Sequence, residues 1–265
     1  PDIILMGPDI SQYTGEPSVD PRDPEGRDWL REFLRANGDL VDIVSVHRYP
    51  FPRSQAHPVT TIDDLRANTR QWDAIPARLR ATIREVTGRD LPIAFTEVNS
   101  HWSAAIGGEA SPDSLYNAIW WADVLGRLIR QEVFIVAYFD LFSPSGGRGG
   151  WGLLDRYNPR PTYYVYQLYQ RFGDERVLAT SDDPDVSIYA ARRDDGALTL
   201  IVVNLGREAQ TKPLQLDHFT PGGPAERWLL DADHLAEQLD DLDIASDGAI
   251  TVPGQSVSLF VVPAG

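Results

Sequence analysis

The sequence predicts an α/β fold: four consecutive βα units over residues 1–175, followed by a small antiparallel β-sandwich over 176–265. Three observations carry this expectation. In the first two-thirds, short and nearly continuous apolar runs alternate with longer amphipathic ones, the pattern of strands covered by helices. Polar residues gather where those apolar runs end. From about Arg176 the pattern turns to short alternating strands and tight turns.

"DIILMG" (2–7) reads as a buried strand, and 23–38 as a helix burying Trp29, Leu30, Phe33 and Leu34 and stopping at Gly38. "VDIVSVHRY" (41–49) is the second strand. A helix is expected over 62–86, with Leu65, Trp72, Leu79 and Ile83 inside and a kink or split at Pro76. "LPIAFTE" (91–97) is the third strand, and 111–131 the next helix, capped by Ser111 or Asp113. "VFIVAYFDLF" (133–142) is the fourth strand, and 160–173 a helix opened by Pro161 and closed by Gly173. Residues 186–204 form a hairpin with an Asp-Gly turn, and strands follow at 212–216, 226–230, 248–252 and 256–262. The acidic stretch 231–243 reads as a solvated loop or short helix.

Element order alone fits either an open doubly wound sheet or part of a (β/α)8 barrel. The first βα turn, "MGPDIS", lacks the glycine-rich phosphate fingerprint. Asp9, His47 with Tyr49, Glu97 with Asn99, and Asp140 all fall at C-terminal strand ends, the face on which a barrel builds its site. Both features favour the partial barrel.

A formal charge of −15 over 265 residues argues against nucleic acid or an anionic membrane as partner. The absence of cysteine excludes disulfides and thiolate metal sites. The chain opens at "PDIILMG", without Met and inside an expected strand, which reads as a fragment or processed piece. The compartment stays open: a soluble chain, cytoplasmic or secreted.

The apolar run "LPIAF" leads straight into Thr96, Glu97 and Asn99. A buried carboxylate without partners costs several kcal/mol, so something must hold Glu97 or use it. Glycoside hydrolysis uses one carboxylate at the anomeric carbon and a second acid at the leaving oxygen, and Glu97 suits the first role. The plainer alternative is a strand-end residue paired with an arginine. His47 and Tyr49, two apart, share a strand face and a place beside Glu97. Trp102, Tyr138, Phe139 and Trp151 lie in or beside the strand-end loops, where a sugar ring would stack. Trp29, Trp72, Trp120 and Trp121 fall on helices and read as core. No zinc-ligand spacing and no GxSxG motif occurs, and no metal or organic cofactor is implied.

The order "ILMGPD", "VDIVSVHRYPF", "LPIAFTEVNS", "VAYFDLFSP", "GGWGLLDRYNPRPTYYVYQLYQRFG", then a β-sandwich, resembles the C-terminal half of retaining (β/α)8 glycoside hydrolases of clan A. The likeness is to the β-xylosidase and α-L-iduronidase type, with the β-glucuronidase and heparanase type next. The resemblance implies that the four units are strands five to eight. Gly7, Pro8 and Asp9 would follow the fifth and His47 and Tyr49 would end the sixth. Thr96 and Glu97 would end the seventh, with Glu97 as nucleophile. Gly152, Leu153, Pro161 and Tyr163 or Tyr164 would lead into the last helix. His47, Tyr49, Asn99, Trp102, Tyr138, Asp140 and Trp151 form the expected substrate-contact set.

Two departures stand out. The clan's acid/base is a Glu after Asn at the end of the fourth strand, and this chain has no Asn-Glu pair; Phe139 also replaces a sugar-stacking Trp. A half barrel exposes two strand edges. A separate N-terminal chain, a two-fold homodimer, or the sandwich folding over the opening would each cover them. Weak or absent activity is expected of the chain alone, and a non-catalytic carbohydrate-binding or interaction module is the alternative. The sugar is not fixed; a C5 carboxylate would want an arginine such as Arg48 or Arg148.

Overall fold

The computed structural model describes residues 3–57, 59–103, 108–145, 149–244 and 248–265. Strands β1 (Met6–Ile10), β2 (Ile43–Arg48), β3 (Ile93–Val98) and β4 (Ile135–Tyr138) pair in parallel, in the order β1-β2-β3-β4. Helices α1 (Trp29–Asn37), α2 (Ile62–Thr69), α3 (Ala74–Thr87) and α4 (Leu115–Arg130) fill the crossovers. A two-residue ladder of β5 (Leu154–Asp155) and β6 (Asn158–Pro159) precedes α5 (Pro161–Tyr169). Sequential parallel neighbours joined by helices form half of a (β/α)8 barrel.

Helix ends follow local chemistry. Asp28 caps α1 by accepting from Arg31 N at 3.0 Å, and Thr61 and Asp64 form a reciprocal capping box on α2. The expected helix over 62–86 is split by a 3-10 turn at Arg70–Asp73. Pro76 then sits in the first turn of α3, where a missing N–H costs nothing. Ser114, not Ser111 or Asp113, caps α4, with Asn117 N donating to its Oγ at 3.1 Å. Asp113 instead accepts from Gly149 N. Trp29 departs from the core expectation: it opens α1 and is half-exposed, while Leu30 and Leu34 face inward. The first strand begins at Met6 rather than residue 2; Asp2 lies outside the described residues. The fourth is shorter than expected, four residues.

The second region contains β7 (Glu175–Val177), β8 (Val186–Arg192), β9 (Leu198–Asn204), β10 (Gln210–Pro213), β11 (Ala225–Leu230), β12 (Leu235–Leu242), β13 (Ala249–Val252) and β14 (Ser256–Val262). Six strands form an antiparallel sheet in the order β12-β11-β14-β9-β8-β7, and β10 with β13 forms a second. One face of the large sheet packs Tyr189, Ile201, Val203, Val257 and Leu259 into the core shared with the helices. The other packs Val186, Leu200, Val202, Phe260 and Val262 against Ile250 and Val252. With apolar cover on both faces, every residue of β9 and β14 is buried. The acidic stretch 231–243, expected as loop or helix, contains the edge strand β12. Exposed Glu237, Asp240 and Asp241 and an irregular register leave it without a clean alternation, and charge on an edge discourages pairing with other chains.

Helix α4 joins the two regions. It lies between the parallel sheet and the sandwich, so it is apolar on nearly all sides. Asp123, fully buried, accepts from Tyr189 Oη at 2.6 Å and from Arg127 Nε at 2.9 Å. Gly126 is required there: a Cβ would stand 2.3 Å from the Tyr189 ring.

Candidate active site

The C-terminal ends of β1, β2 and β3 bring five polar side chains together. Tyr49 donates its hydroxyl to Glu97 Oε2 at 2.6 Å. His47 Nδ1 stands 3.5 Å from the same oxygen, and its Nε2 3.7 Å from Asp9 Oδ1. Thr96 Oγ1 donates to Asp9 Oδ1 at 2.5 Å. The parallel register sets this up: β2 and β3 pair Val46 with Phe95 and then His47 with Glu97, an irregularity that turns both side chains into the cleft.

The electrostatics fix Tyr49 as the donor in its bond to Glu97. Burial, then the hydrogen bond to Glu97 and its charge, hold the Tyr49 phenol well above its ordinary range. Tyr49 is therefore a permanent donor, and a hydrogen bond to a charged acceptor contributes about 1.5–3 kcal/mol. His47 is mostly buried while Glu97 is 38% exposed, so the carboxylate is anchored on one side and reachable on the other.

The fourth strand end supplies an aromatic wall and a further carboxyl. Phe139 meets the edges of Tyr49 and Trp151, each at 6.3 Å between ring centroids. Asp140 follows, with Oδ1 buried and without a hydrogen-bond partner among the described residues. Burial raises its carboxyl above the ordinary range, against its own backbone N–H, the Arg160 charge and a hydrogen bond from the Ser143 side chain. Arg160 pins the loop beyond by donating to the carbonyls of Ser143, Gly149, Gly152 and Leu154 at 2.7–2.9 Å. Gly152 fits because a Cβ would lie 2.5 Å from Ser143 N and 3.0 Å from Asp140 Oδ1.

Of the sequence-predicted contacts, His47, Tyr49 and Glu97 converge, and Asp140 and Trp151 border them. Three sit otherwise. Asn99 is fully buried and donates to the carbonyls of Phe139 (2.6 Å) and Trp151 (3.3 Å), so it ties the β3 and β4 loops together. Tyr138 turns to the helix side, its ring 4.9 Å from that of Trp121 and its hydroxyl accepting from Asn117 at 3.2 Å. Strand alternation gives the cleft to Phe139 instead. Trp102 is half-exposed on the rim and donates to Pro52 O at 2.6 Å. Arg48 is buried on the opposite strand face, where burial pulls it down to about 10. Arg148 lies outside the described residues.

Sequence reasoning noted Asp9 only as a strand-end polar residue and missed its tie to Thr96 and His47. The signal was present: an Asp after Gly-Pro, and a Thr beside the Glu at the same end of a strand two places along the sheet. Arg160 left none beyond preceding Pro161.

Half a (β/α)8 barrel with a polar strand-end cleft and a trailing β-sandwich is the architecture the chain shares with part of the glycoside hydrolases it is similar to. Residues 184–258 match the family described as D-apionate lactonase, C-terminal immunoglobulin-like domain. Heparanase from Bos taurus is 26% identical over 239 residues, covering 85% of this chain and 40% of that protein. Beta-xylosidase from Caldicellulosiruptor saccharolyticus is 23% identical over 185 residues, 66% of this chain and 36% of its own length. The xyloglucanase of glycoside hydrolase family 44 from Paenibacillus polymyxa, solved with xyloglucan, superposes with a TM-score of 0.72 at 20% identity. That superposition covers 99% of this chain and 57% of the xyloglucanase, and at that identity it speaks to the fold alone. The chain thus spans about two-fifths of the length of the heparanase it matches.

Proposed function

We propose that this chain is a portion of a retaining glycoside hydrolase in which Glu97 is the nucleophile and the acid/base comes from outside the chain. The observation that carries this reading is the pair of contacts on Glu97 Oε2, from Tyr49 Oη at 2.6 Å and His47 Nδ1 at 3.5 Å. They hold one oxygen while leaving the carboxylate accessible, as attack on an anomeric carbon demands. Phe139 and Trp151 offer apolar edges to the sugar ring. The division at 175/176 is part of this reading: β7, beginning at Glu175, already pairs with β8 in the sandwich sheet.

Retaining chemistry places two carboxyl groups about 5 Å apart on either side of the glycosidic bond. The resemblance puts the second on the fourth barrel strand, and the Asn-Glu pair that would mark it is missing from the sequence. A separate N-terminal half would supply it. The chain alone is weakly active or inactive on unactivated glycosides.

A 2-fluoro sugar with a dinitrophenyl leaving group needs no acid, so it isolates the role of Glu97. Xylosyl, arabinosyl and glucuronyl versions should between them give a covalent mass adduct that maps to Glu97 and is lost in Glu97→Gln. Absence of an adduct from all three sugars would overturn the nucleophile assignment.

A further inference from the structure

Resting on the reading of Glu97 as nucleophile, we infer that Asp9 is a positioning residue for it: by clamping the bulge at Thr96 and facing His47, Asp9 sets the direction from which Glu97 meets the sugar.

The parallel register breaks at the C-terminal rim in each strand pair. Between β1 and β2, Pro8 pairs with Ser45 and Ile10 with Val46, so Asp9 has no counterpart. Between β2 and β3, Val46 pairs with Phe95 and His47 with Glu97, so Thr96 has none. Between β3 and β4, Phe95 pairs with Val136 and Val98 with Tyr138, which sets Thr96 and Glu97 against Ala137 alone. An extra residue bends its strand and re-aims the side chains beside it. A regular strand sends neighbours to opposite faces. Here Thr96 and Glu97 both reach the same rim, Thr96 to Asp9 and Glu97 to Tyr49.

The two unmatched residues hold each other. Thr96 Oγ1 donates to Asp9 Oδ1 at 2.5 Å, a bond that reaches from β3 to β1 across the end of β2. His47 Nε2 stands 3.7 Å from the same Asp9 oxygen, and its Nδ1 3.5 Å from Glu97 Oε2. Asp9 therefore reaches Glu97 by two routes, through the backbone of Thr96 and through the imidazole of His47.

The way Asp9 is held supports this role. Its backbone has φ +56°, in the left-handed region that few side chains adopt without cost. Its N–H donates to Ser45 Oγ at 3.2 Å, and Ser45 is fully buried, so the bulge is anchored from below. Neither Asp9 nor Thr96 belongs to the buried core, so their bond adds little to packing. Glu97 needs such support. Tyr49 fixes only Oε2, and a carboxylate held at one oxygen still swings about it. Attack requires the reacting atoms about 3–3.5 Å apart and aligned, which a rigid strand end beneath Glu97 provides.

The test is a double-mutant cycle on the rate at which the 2-fluoro dinitrophenyl glycoside labels Glu97. Asp9→Ala and Thr96→Val should each slow labelling by about ten- to a hundredfold at saturating probe. The half-saturating concentration should stay unchanged, because aim and not binding is lost. The double variant should be no slower than the slower single one, as expected when both remove one shared interaction. Thr96→Ser keeps the donor, and Asp9→Asn keeps an acceptor on a residue that tolerates the left-handed backbone. Both should label within about threefold of wild type. Wild-type rates in Asp9→Ala and Thr96→Val, losses that multiply in the double variant, or a loss confined to half-saturation would overturn the inference while the adduct on Glu97 remains. Thr96→Ser as slow as Thr96→Val would do the same. If Asp9→Ala fails to fold, the comparison of Thr96→Val with Thr96→Ser decides. No adduct in the wild type defeats the nucleophile reading and this inference with it.

Discussion

In the sandwich, β9 and β14 are buried at every position, because helices cover one face of their sheet and the β10–β13 pair the other. In the parallel sheet, among the described residues, β1 and β4 each have one neighbour, and Ile4, Phe134 and Ile135 face solvent. One chain thus carries a closed region and an open one. Asp9, His47, Tyr49, Glu97 and Asp140 all belong to the open region. Parallel strands explain why: their C-terminal ends gather on one rim, so polar side chains there converge, whereas antiparallel neighbours send alternate ends to opposite rims. The sandwich supplies closure and rigidity through α4.

That division of labour is most directly broken at Asp123. Its carboxylate is fully buried and holds both Arg127 and Tyr189, one from each region. Asp123→Ala leaves a buried guanidinium without this partner and should cost about 3–5 kcal/mol in urea unfolding. The outward Asp240 on β12 is the control: its replacement by alanine should stay within about 0.5 kcal/mol. Equal losses at the two positions would mean that α4 does not couple the regions.

A second effect of similar size separates the regions by pH. His101, just beyond β3, is 2% exposed, with Nδ1 2.7 Å from Ser100 Oγ and its carbonyl accepting from Trp151 Nε1. Burial pulls the imidazole down to about 4 from an ordinary 6.5. The folded state therefore favours neutral His101. Its contribution is complete above pH 6.5 and is lost as pH falls towards 4, by about 3 kcal/mol in all. His101→Gln should flatten the stability profile between those limits. An unchanged slope would place the acid sensitivity elsewhere.

Gly126→Ala tests the contact between the regions sterically. The added Cβ would meet the Tyr189 ring at 2.3 Å, and overpacking of that kind costs about 1–3 kcal/mol. If the sandwich can slide on α4, the loss will be smaller and Tyr189 fluorescence will shift.

Much of this was legible in the sequence, for physical reasons that also mark its limit. The near-continuous apolar runs at Val44, Val46, Ile93 and Phe95 announce covered parallel strands, and they lie where expected. The convergence of His47, Tyr49 and Glu97 follows from strand ends alone. What failed needed side-chain direction: Tyr138 and Phe139 are adjacent aromatics, and only the pleat decides which faces the cleft. Asn99 looked like a ligand for Glu97 because sequence gives proximity and not orientation. At β12, charge density and an irregular register concealed a strand.

The smallest predicted change is the most informative about the open edge. Phe134, 58% exposed beside β4, has little to lose in an isolated chain, so Phe134→Ser should change stability by no more than about 0.5 kcal/mol at nanomolar protein. If the edge is covered when copies associate, the same substitution removes buried apolar surface only in the assembly. The deficit should then grow with protein concentration, since stability gained by association depends on protomer concentration. A concentration-independent loss above about 1 kcal/mol would mean that Phe134 already packs within its own chain. The open and closed regions would then differ less than the exposed strand edges indicate.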